Sequence, residues 1–218
     1  MREGRCRVFI LVDIAGGIHK DVALADVVIG DRIIYYDARA LNAHGESRRG
    51  DEFRLPVELM SVVNRFFTLH GEPALARATA HMLELDELGA AVPADAIAAF
   101  KIVKGPIASG EAVIKHRDSE VRHWIHAFNE KTLAVETEAA GLATAAHEEG
   151  RDSRSYGALV IRGISDHADH DKNDFYRKTA AANAVETLRL LLPVIASTLL
   201  SERPTSVRRS RASKADAE

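Results

Sequence analysis

The chain has 218 residues, of which 46% are hydrophobic and 28% charged, and its formal net charge at pH 7 is −3. This profile is typical of a globular protein with one sizeable core, and the weak charge gives no overall field that would attract nucleic acid or an anionic membrane. No run approaches the roughly 20 apolar residues of a membrane span, and the charged first residues lack the pattern of a secretory signal. We therefore expect a cytoplasmic protein with no membrane partner.

The first part of the chain predicts strands followed by a helix. Residues 7–12 form a continuous apolar run, which predicts a strand buried on both faces and ending in the Ala15-Gly16-Gly17 turn. Residues 26–36 predict two short strands joined by a Gly-Asp turn. The polar stretch 38–55 has no periodicity and is interpreted as a loop. Pro56 suits the start of a helix whose apolar positions follow helical spacing: Leu59, Val62, Val63, Phe66 and Phe67.

The remainder of the chain alternates between helical and extended patterns. Strands are predicted over 101–109, 132–135 and 157–164. Helices are predicted over 73–88, from Asp118 or Ser119 to Phe128, from a cap at Thr137 to Glu148, and from about Asn173 and Asp174 onward. In the last helix Pro193 should cause a kink or break, and the inward residues should be Val185, Leu188, Leu191, Leu192 and Ile195. This alternation predicts an α/β fold with helices on the faces of a sheet.

We expect one domain over residues 1–200 and a tail over residues 201–218. The tail is polar and has no apolar periodicity, which is typical of a disordered, solvated terminus. It holds four basic residues and no acid between Val207 and Lys214. Such a segment would allow a weak electrostatic contact with nucleic acid but no specific recognition.

Two acidic segments each follow a predicted strand. The first contains Glu136 and Glu138, and the second contains Asp166. In open α/β sheets the ends of strands are where ligands bind. We therefore expect these carboxylates to lie at one binding site.

The chemistry of these carboxylates would suit cleavage of the glycosidic C–N bond of a purine nucleoside. That reaction needs an acid for the leaving base, an anchor for the ribose hydroxyls and a nucleophile on the opposite face of the sugar. Asp166 would be the acid if a closed apolar pocket kept it protonated. Glu138 would be the anchor, because an ionised carboxylate accepts two hydrogen bonds at once. The residues alone leave open the alternative that each is a surface or capping acid.

The same acidic region also has some features of a metal site. The spacing of His167 and His170, close to Asp166 in the chain, would suit one helical turn, and His and Asp are both good ligands. No further ligand set is indicated, and Cys6 is the only cysteine. We therefore expect neither a metal nor another cofactor.

Four segments together resemble the nucleoside phosphorylase superfamily, which includes purine and uridine phosphorylases and methylthioadenosine/S-adenosylhomocysteine nucleosidases. They read IAGGI, IASGEAVI, VETEAAG and VIRGISDHADHDKND, and they occur in the family's order. The resemblance implies a three-layer α/β/α fold around a central mixed sheet. It also implies that Asp166 protonates the base and that Glu138 binds the ribose. The further binding positions that it implies are Ala15, Gly16, Gly17, Val113, Ile114, Glu136, Thr137 and Ser165.

The sequence departs from the family's pattern at several of these places. Thr137 stands where the nucleosidases usually have Met, Asp13 stands where Gly is more frequent, and Val113 replaces an aromatic residue. The resemblance further implies that this sequence begins at what would be a later strand of the family, without the family's N-terminal strand segment. The sequence therefore predicts no residue that activates the nucleophile.

The resulting hypothesis is a nucleosidase that uses water to release the base of an adenine-type nucleoside such as methylthioadenosine, S-adenosylhomocysteine or adenosine. A carboxyl at Asp166 favours a 6-aminopurine because it can also accept from the exocyclic amine. Two alternatives stay open: a phosphate-dependent phosphorylase, and a nucleoside- or nucleotide-sensing module of a signalling or defence system with little turnover. The resemblance also implies a homo-oligomer, with the stretch 38–55 reaching a neighbouring site.

Overall fold

The computed structural model describes residues 8–43, 45–77, 99–152, 156–169 and 175–199. The predicted tail at 201–218, most of the helix predicted over 73–88 and the predicted start of the last helix lie outside these ranges. In chain order the described strands are β1 (Phe9–Gly17), β2 (Val27–Tyr35), β3 (Arg39–Asn42), β4 (Gly45–Arg48), β5 (Asp51–Arg54), β6 (Ala74–Ala76), β7 (Phe100–Ser109), β8 (Ala134–Glu136) and β9 (Ala158–Asp166). The helices are α1 (Val57–His70), α2 (Glu120–Phe128), α3 (Ala139–Asp152) and α4 (Arg177–Leu199).

The centre of the molecule is a mixed sheet with the strand order β5-β2-β9-β1-β8-β7-β6. β1 runs parallel to β9 but antiparallel to β8, while β7 runs parallel to both β8 and β2. Because β2 pairs with β7 as well as with β9, the sheet curls until five of its strands close into a ring. The predicted α/β fold around a mixed sheet is confirmed.

Alternating residues of the central strands supply the two sides of the core. Leu159 and Ile161 of β9 pack in one cluster with the predicted apolar face of α1 and with α4. Val160 and Ile164 of the same strand pack in the other cluster, against the alanines at the start of α3. This alternation follows from the two-residue period of a strand. Helices therefore cover the sheet from both sides.

The structure corrects several predicted elements. Residues 27–35 form one strand rather than two, with a register shift between Gly30 and Arg32, because both edges of β2 are paired. The predicted loop at 38–55 contains the β3–β4 hairpin and the edge strand β5. Ala74–Ala76 is a strand paired with β7 and not the beginning of a helix. Strand pairing with distant residues decides the structure of all three segments, and the local periodicity of the sequence does not reveal such pairing.

The last helix also differs from its prediction. α4 continues through Pro193 to Leu199. Leu191 is buried as predicted, but Val185 and Leu192 are exposed, and Val194 is buried in their place. By length and composition alone α4 could cross a membrane, contrary to the sequence expectation, yet half of that apolar stretch is buried inside the fold. In this structure α4 is a core helix.

The first strand is less buried than its apolar sequence predicts. β1 pairs with β9 from Phe9 to Gly16, whereas it pairs with β8 only at Gly16 and Gly17. The residues from Phe9 to Val12 are consequently only partly buried, and the side chain of Asp13 is 47% exposed.

Close packing of α4 on β9 gives a direct test of the fold. A Cβ atom at Gly163 would overlap the backbone carbonyl of Ala180 in α4, so the backbone of one of the two elements would have to shift. We expect Gly163→Ala to lower the free energy of unfolding by about 3 kcal/mol. Gly141→Ala is the matched control, because a Cβ there meets nothing within 4 Å. Urea denaturation followed by circular dichroism would measure both variants, and equal stabilities would contradict this packing.

Candidate functional site

The predicted site residues surround a cavity of about 170 Å³ where β1, β8 and β9 end. Nine of the ten predicted positions line it: Ala15, Gly16, Val113, Ile114, Glu136, Thr137, Glu138, Ser165 and Asp166. Gly17 does not, because a side chain at that position would face Ile164 and Val22 in the core. The structure therefore brings together residues that lie more than a hundred positions apart in the chain.

A buried arginine that the sequence analysis did not single out lies in the middle of this cavity wall. The side chain of Arg162 is 1% exposed, and its Nη2 donates to the carboxylates of Glu136 and Glu138, the second at 3.1 Å. Its Nη1 lies 3.4 Å from Oδ2 of Asp13. One cation thus holds three carboxylates. The sequence held one signal for this role, a single charged residue inside the apolar run of β9. Because a buried charge needs partners, such a residue indicates compensating groups beside it.

Glu136 is buried and has a structural task that the sequence analysis assigned to Thr137. Its carboxylate accepts the backbone N–H groups of Glu138 and Ala139 at 3.0 to 3.1 Å, which are free donors at the start of α3. Ser109 accepts the next donor, the N–H of Ala140. The predicted cap at Thr137 is therefore replaced by Glu136. Because α3 begins at Ala139, Glu138 precedes the helix rather than lying in its first turn.

Asp166 lies on the other side of the cavity at the end of β9 and is 6% exposed. Its Oδ1 accepts the N–H of Ala168 at 2.8 Å, and the Ser165 hydroxyl donates to its Oδ2 at 3.0 Å. A Cβ at Gly16 would stand 2.8 Å from the Ala168 side chain and 3.0 Å from Oδ1 of Asp166. The glycine is needed because β1 passes so closely beneath this carboxyl group.

Two neighbouring residues at the end of β2 fasten the segment that carries Val113 and Ile114. The Tyr36 hydroxyl donates to the carbonyl of Ala112 at 2.8 Å, and Asp37 accepts the N–H of Glu111 at 2.7 Å. Burial, helped by the negative charges of Asp37 and Glu136, raises the pKa of Tyr36, so it stays a hydrogen-bond donor. Neither residue stands out in the sequence as a site residue.

Asp37 is held in its ionised form. Burial alone would raise the pKa of its carboxyl group, but the hydrogen bonds from the Glu111 N–H and from Arg48 hold it below its ordinary value of 3.8. Nη1 of Arg48 lies 2.5 Å from Oδ1 of Asp37. Charge-assisted bonds of this kind are the stronger ones, so this segment of the cavity wall is firmly tied to β2.

The other predicted or possible sites are less complete. Val113 is 57% exposed at the cavity mouth, while Ile114 is buried behind it. Among the described residues no group of three or more His, Cys, Asp or Glu side chains could hold a metal ion, and His170 lies outside those residues. A wider, open groove of about 910 Å³ beside α2 contains none of the predicted site residues.

Comparison with known proteins connects this geometry to a family. The family described as Phosphorylase superfamily matches residues 1–196. A curated relative named ATP nucleosidase Cap17, from Escherichia coli strain KTE188, is 27% identical over 185 residues, which are 84% of this chain and 35% of the relative. The chain therefore spans about a third of the length of that relative.

Solved structures show the same fold. The 5′-methylthioadenosine/S-adenosylhomocysteine nucleosidase of Neisseria meningitidis, in complex with methylthio-immucillin-A, matches with a TM-score of 0.57 and 25% identity over 84% of this chain and 67% of that one. S-adenosylhomocysteine nucleosidase from Streptococcus pyogenes gives a TM-score of 0.60 at 22% identity, covering 85% of this chain and 67% of that one. Futalosine hydrolase of Helicobacter pylori gives 0.59 at 18% identity, covering 84% and 66%.

The buried ion cluster predicts a specific pattern of stabilities. Arg162→Met removes the cation that compensates the buried carboxylate of Glu136, so we expect the free energy of unfolding to fall by about 3–5 kcal/mol. The double variant Arg162→Met/Glu136→Gln removes the uncompensated charge and should recover part of that loss. Urea unfolding of the wild type, both single variants and the double variant gives the coupling. Simple addition of the two single effects would contradict direct pairing.

The ionised state of Asp37 predicts a dependence of stability on pH. Because the pKa of Asp37 is lower in the folded protein, its contribution is fully present above pH 3.8 and is lost as the pH falls through the lower, folded-state pKa. We expect Asp37→Asn to cost about 2 kcal/mol at pH 7, and the difference from wild type to shrink below pH 3.8. Unfolding measured from pH 7 to 3 tests this. A difference that stays constant would exclude the ionised carboxylate as its source.

Proposed function

We propose that this chain, which belongs to the phosphorylase superfamily, hydrolyses the N-glycosidic bond of an adenine-type nucleoside or nucleotide. The observation that carries the proposal is one small cavity that is lined both by the buried Asp166 and by Glu138, which Arg162 supports. The names of the relatives support the adenine part, since ATP, methylthioadenosine and S-adenosylhomocysteine share that base. These substrates belong to those proteins, and for this chain they define the compounds to test.

Asp166 has the surroundings that the acid of this reaction requires. It is buried at the cavity, and the glycine at position 16 lets the backbone of β1 approach its carboxyl group closely. A proton on Asp166 would pass to a ring nitrogen of the purine as the C–N bond breaks, so that the base leaves as a neutral molecule. The Ser165 hydroxyl fixes one carboxyl oxygen and thereby the direction of this transfer.

Glu138 has the complementary surroundings of a ribose anchor. Its side chain is 56% exposed, so a ligand can reach it, and its Oε2 is held by Nη2 of Arg162 at 3.1 Å. A carboxylate fixed in this way can accept from ribose hydroxyls, and its negative charge stabilises the cationic sugar of the transition state. Arg162 holds this carboxylate in place.

The charges of the cavity favour water over phosphate as the nucleophile. Asp13, Glu136 and Glu138 all line the cavity, and the guanidinium of Arg162 is already engaged with them. A phosphate dianion would meet three negative groups there, and like charges that are close together repel strongly. Arg177 also lines the cavity, at the start of α4, and is a candidate contact for a negatively charged 5′-substituent. This distribution supports hydrolysis rather than phosphorolysis.

Replacement of the acid tests the proposal. In phosphate-free buffer we expect the wild type to release adenine from at least one of methylthioadenosine, S-adenosylhomocysteine, adenosine or ATP, measured by liquid chromatography. Asp166→Asn should lower kcat by about 10²–10⁴-fold, as loss of a general acid does, while adenine binding measured by calorimetry persists. Asp169→Asn is the matched control, because Asp169 is equally buried but does not line the cavity and pairs with Arg117.

Two results would overturn this function in different directions. A strict requirement for phosphate, with ribose 1-phosphate as product, would identify a phosphorylase. Nucleoside binding without release of base from any of the four compounds would identify a sensing module.

A further inference from the structure

The proposed reaction needs a group that accepts a proton from the attacking water, and three carboxylates beside Arg162 could do so. Glu136, Glu138 and Asp13 all contact this guanidinium and line the cavity. They differ in what else they bind. Those differences select one of the three.

Glu136 is already saturated. Its two oxygens accept from the backbone N–H groups of Glu138 and Ala139 and from Arg162, and the side chain is almost fully buried. A proton on this carboxylate would break the bonds that begin α3. Glu138 is accessible, but the proposed function uses it for the ribose hydroxyls. Asp13 is therefore the one of the three carboxylates that can accept a proton from the water.

Asp13 combines a fixed position with access to solvent. Its Oδ1 accepts the N–H of Ile14 at 2.7 Å, and its Oδ2 lies 3.4 Å from Nη1 of Arg162. The side chain is nevertheless 47% exposed. An oriented carboxylate that water can reach meets the geometric requirement for a general base.

The register of the sheet places Asp13 at the correct end of the cavity. In the parallel pair of β1 and β9, Asp13 lies opposite Arg162, and Gly16 lies opposite Asp166. Three residues along a strand span roughly 10 Å. Asp13 is thus displaced along the sheet from the acid, so the two carboxyl groups can act on different parts of one reacting nucleoside.

We propose that Asp13 is the general base of this chain, an inference that rests on the proposed nucleosidase function. The water oxygen bonds to the anomeric carbon of the ribose while the carbon–nitrogen bond to the purine breaks. Asp13 accepts one proton of that water, and Asp166 gives one proton to the departing base. The products are free ribose and neutral purine, and both carboxyl groups return to their starting states by exchanging protons with solvent.

Substitution of Asp13 by its neutral isostere is the first test. With the best purine substrate we expect Asp13→Asn to lower kcat by about 10²–10³-fold, as loss of a general base does, with KM changed less than about threefold. Asp51→Asn is the matched control, because Asp51 accepts the N–H of the next residue on β5 in the same way but lies outside the cavity. It should keep the wild-type rate.

A substrate with a different leaving group separates the base from the acid. 4-Nitrophenyl riboside loses a phenolate that needs no protonation, so Asp166→Asn should regain most of the wild-type rate on it. Asp13→Asn should stay as slow as on the purine substrate. In Asp13→Ala, added sodium azide should restore turnover and give ribosyl azide, because azide attacks without losing a proton.

The outcomes distinguish this inference from the function on which it rests. If the wild type releases base but Asp13→Asn keeps more than a third of kcat, or recovers on the nitrophenyl substrate, Asp13 is not the base and the nucleosidase function stands. Failure of azide to act on a folded Asp13→Ala protein that still binds adenine would also overturn the assignment. If the wild type releases no base from any substrate, the proposed function fails, and this inference fails with it.

Discussion

The ion cluster around Arg162 is the constraint on which the rest of the site depends. A guanidinium with 1% exposure has lost nearly all its water, and such a group is tolerated inside a protein only when carboxylates compensate its charge. Glu136 does so from the end of β8, Glu138 from the entry to α3 and Asp13 from β1. The same contacts that compensate the buried charge therefore fix three carboxylates at one wall of the cavity.

This arrangement couples the stability of the fold to the geometry of the site. Glu136 uses its remaining hydrogen-bonding capacity to begin α3, whose alanines pack into the core on the same side of the sheet. On the opposite wall, Asp166 is positioned by Ser165 and by the turn at Ala168, and β1 can approach it only because residue 16 is glycine. The acid and the proposed base thus come from the neighbouring strands β9 and β1, and the anchor comes from the segment between β8 and α3.

Differences in exposure give these chemically similar carboxyl groups different tasks. Glu136 is buried and fully bonded and is structural, whereas Glu138 and Asp13 are about half exposed and can meet a ligand. Asp166 is buried but opens onto the cavity. The chemistry proposed for each group follows from what surrounds it, which is the general way in which one residue type serves as both acid and base in a single site.

The sequence by itself determined the α/β fold class, the family resemblance and ten candidate site positions, of which nine line the cavity, because short motifs at strand ends carry that information locally. The ring closure of the sheet, the β3–β4 hairpin and the strand at Ala74–Ala76 were decided by pairing between distant segments. The roles of Arg162 and Asp13 also depend on pairing between distant segments. Arg162 is only an unusual charge in an apolar run, and Asp13 only a departure from a family pattern, until the register of β1 against β9 places them opposite each other. Tertiary structure alone could decide this, because a buried charge is explained by its neighbours in space and not by its neighbours in the chain.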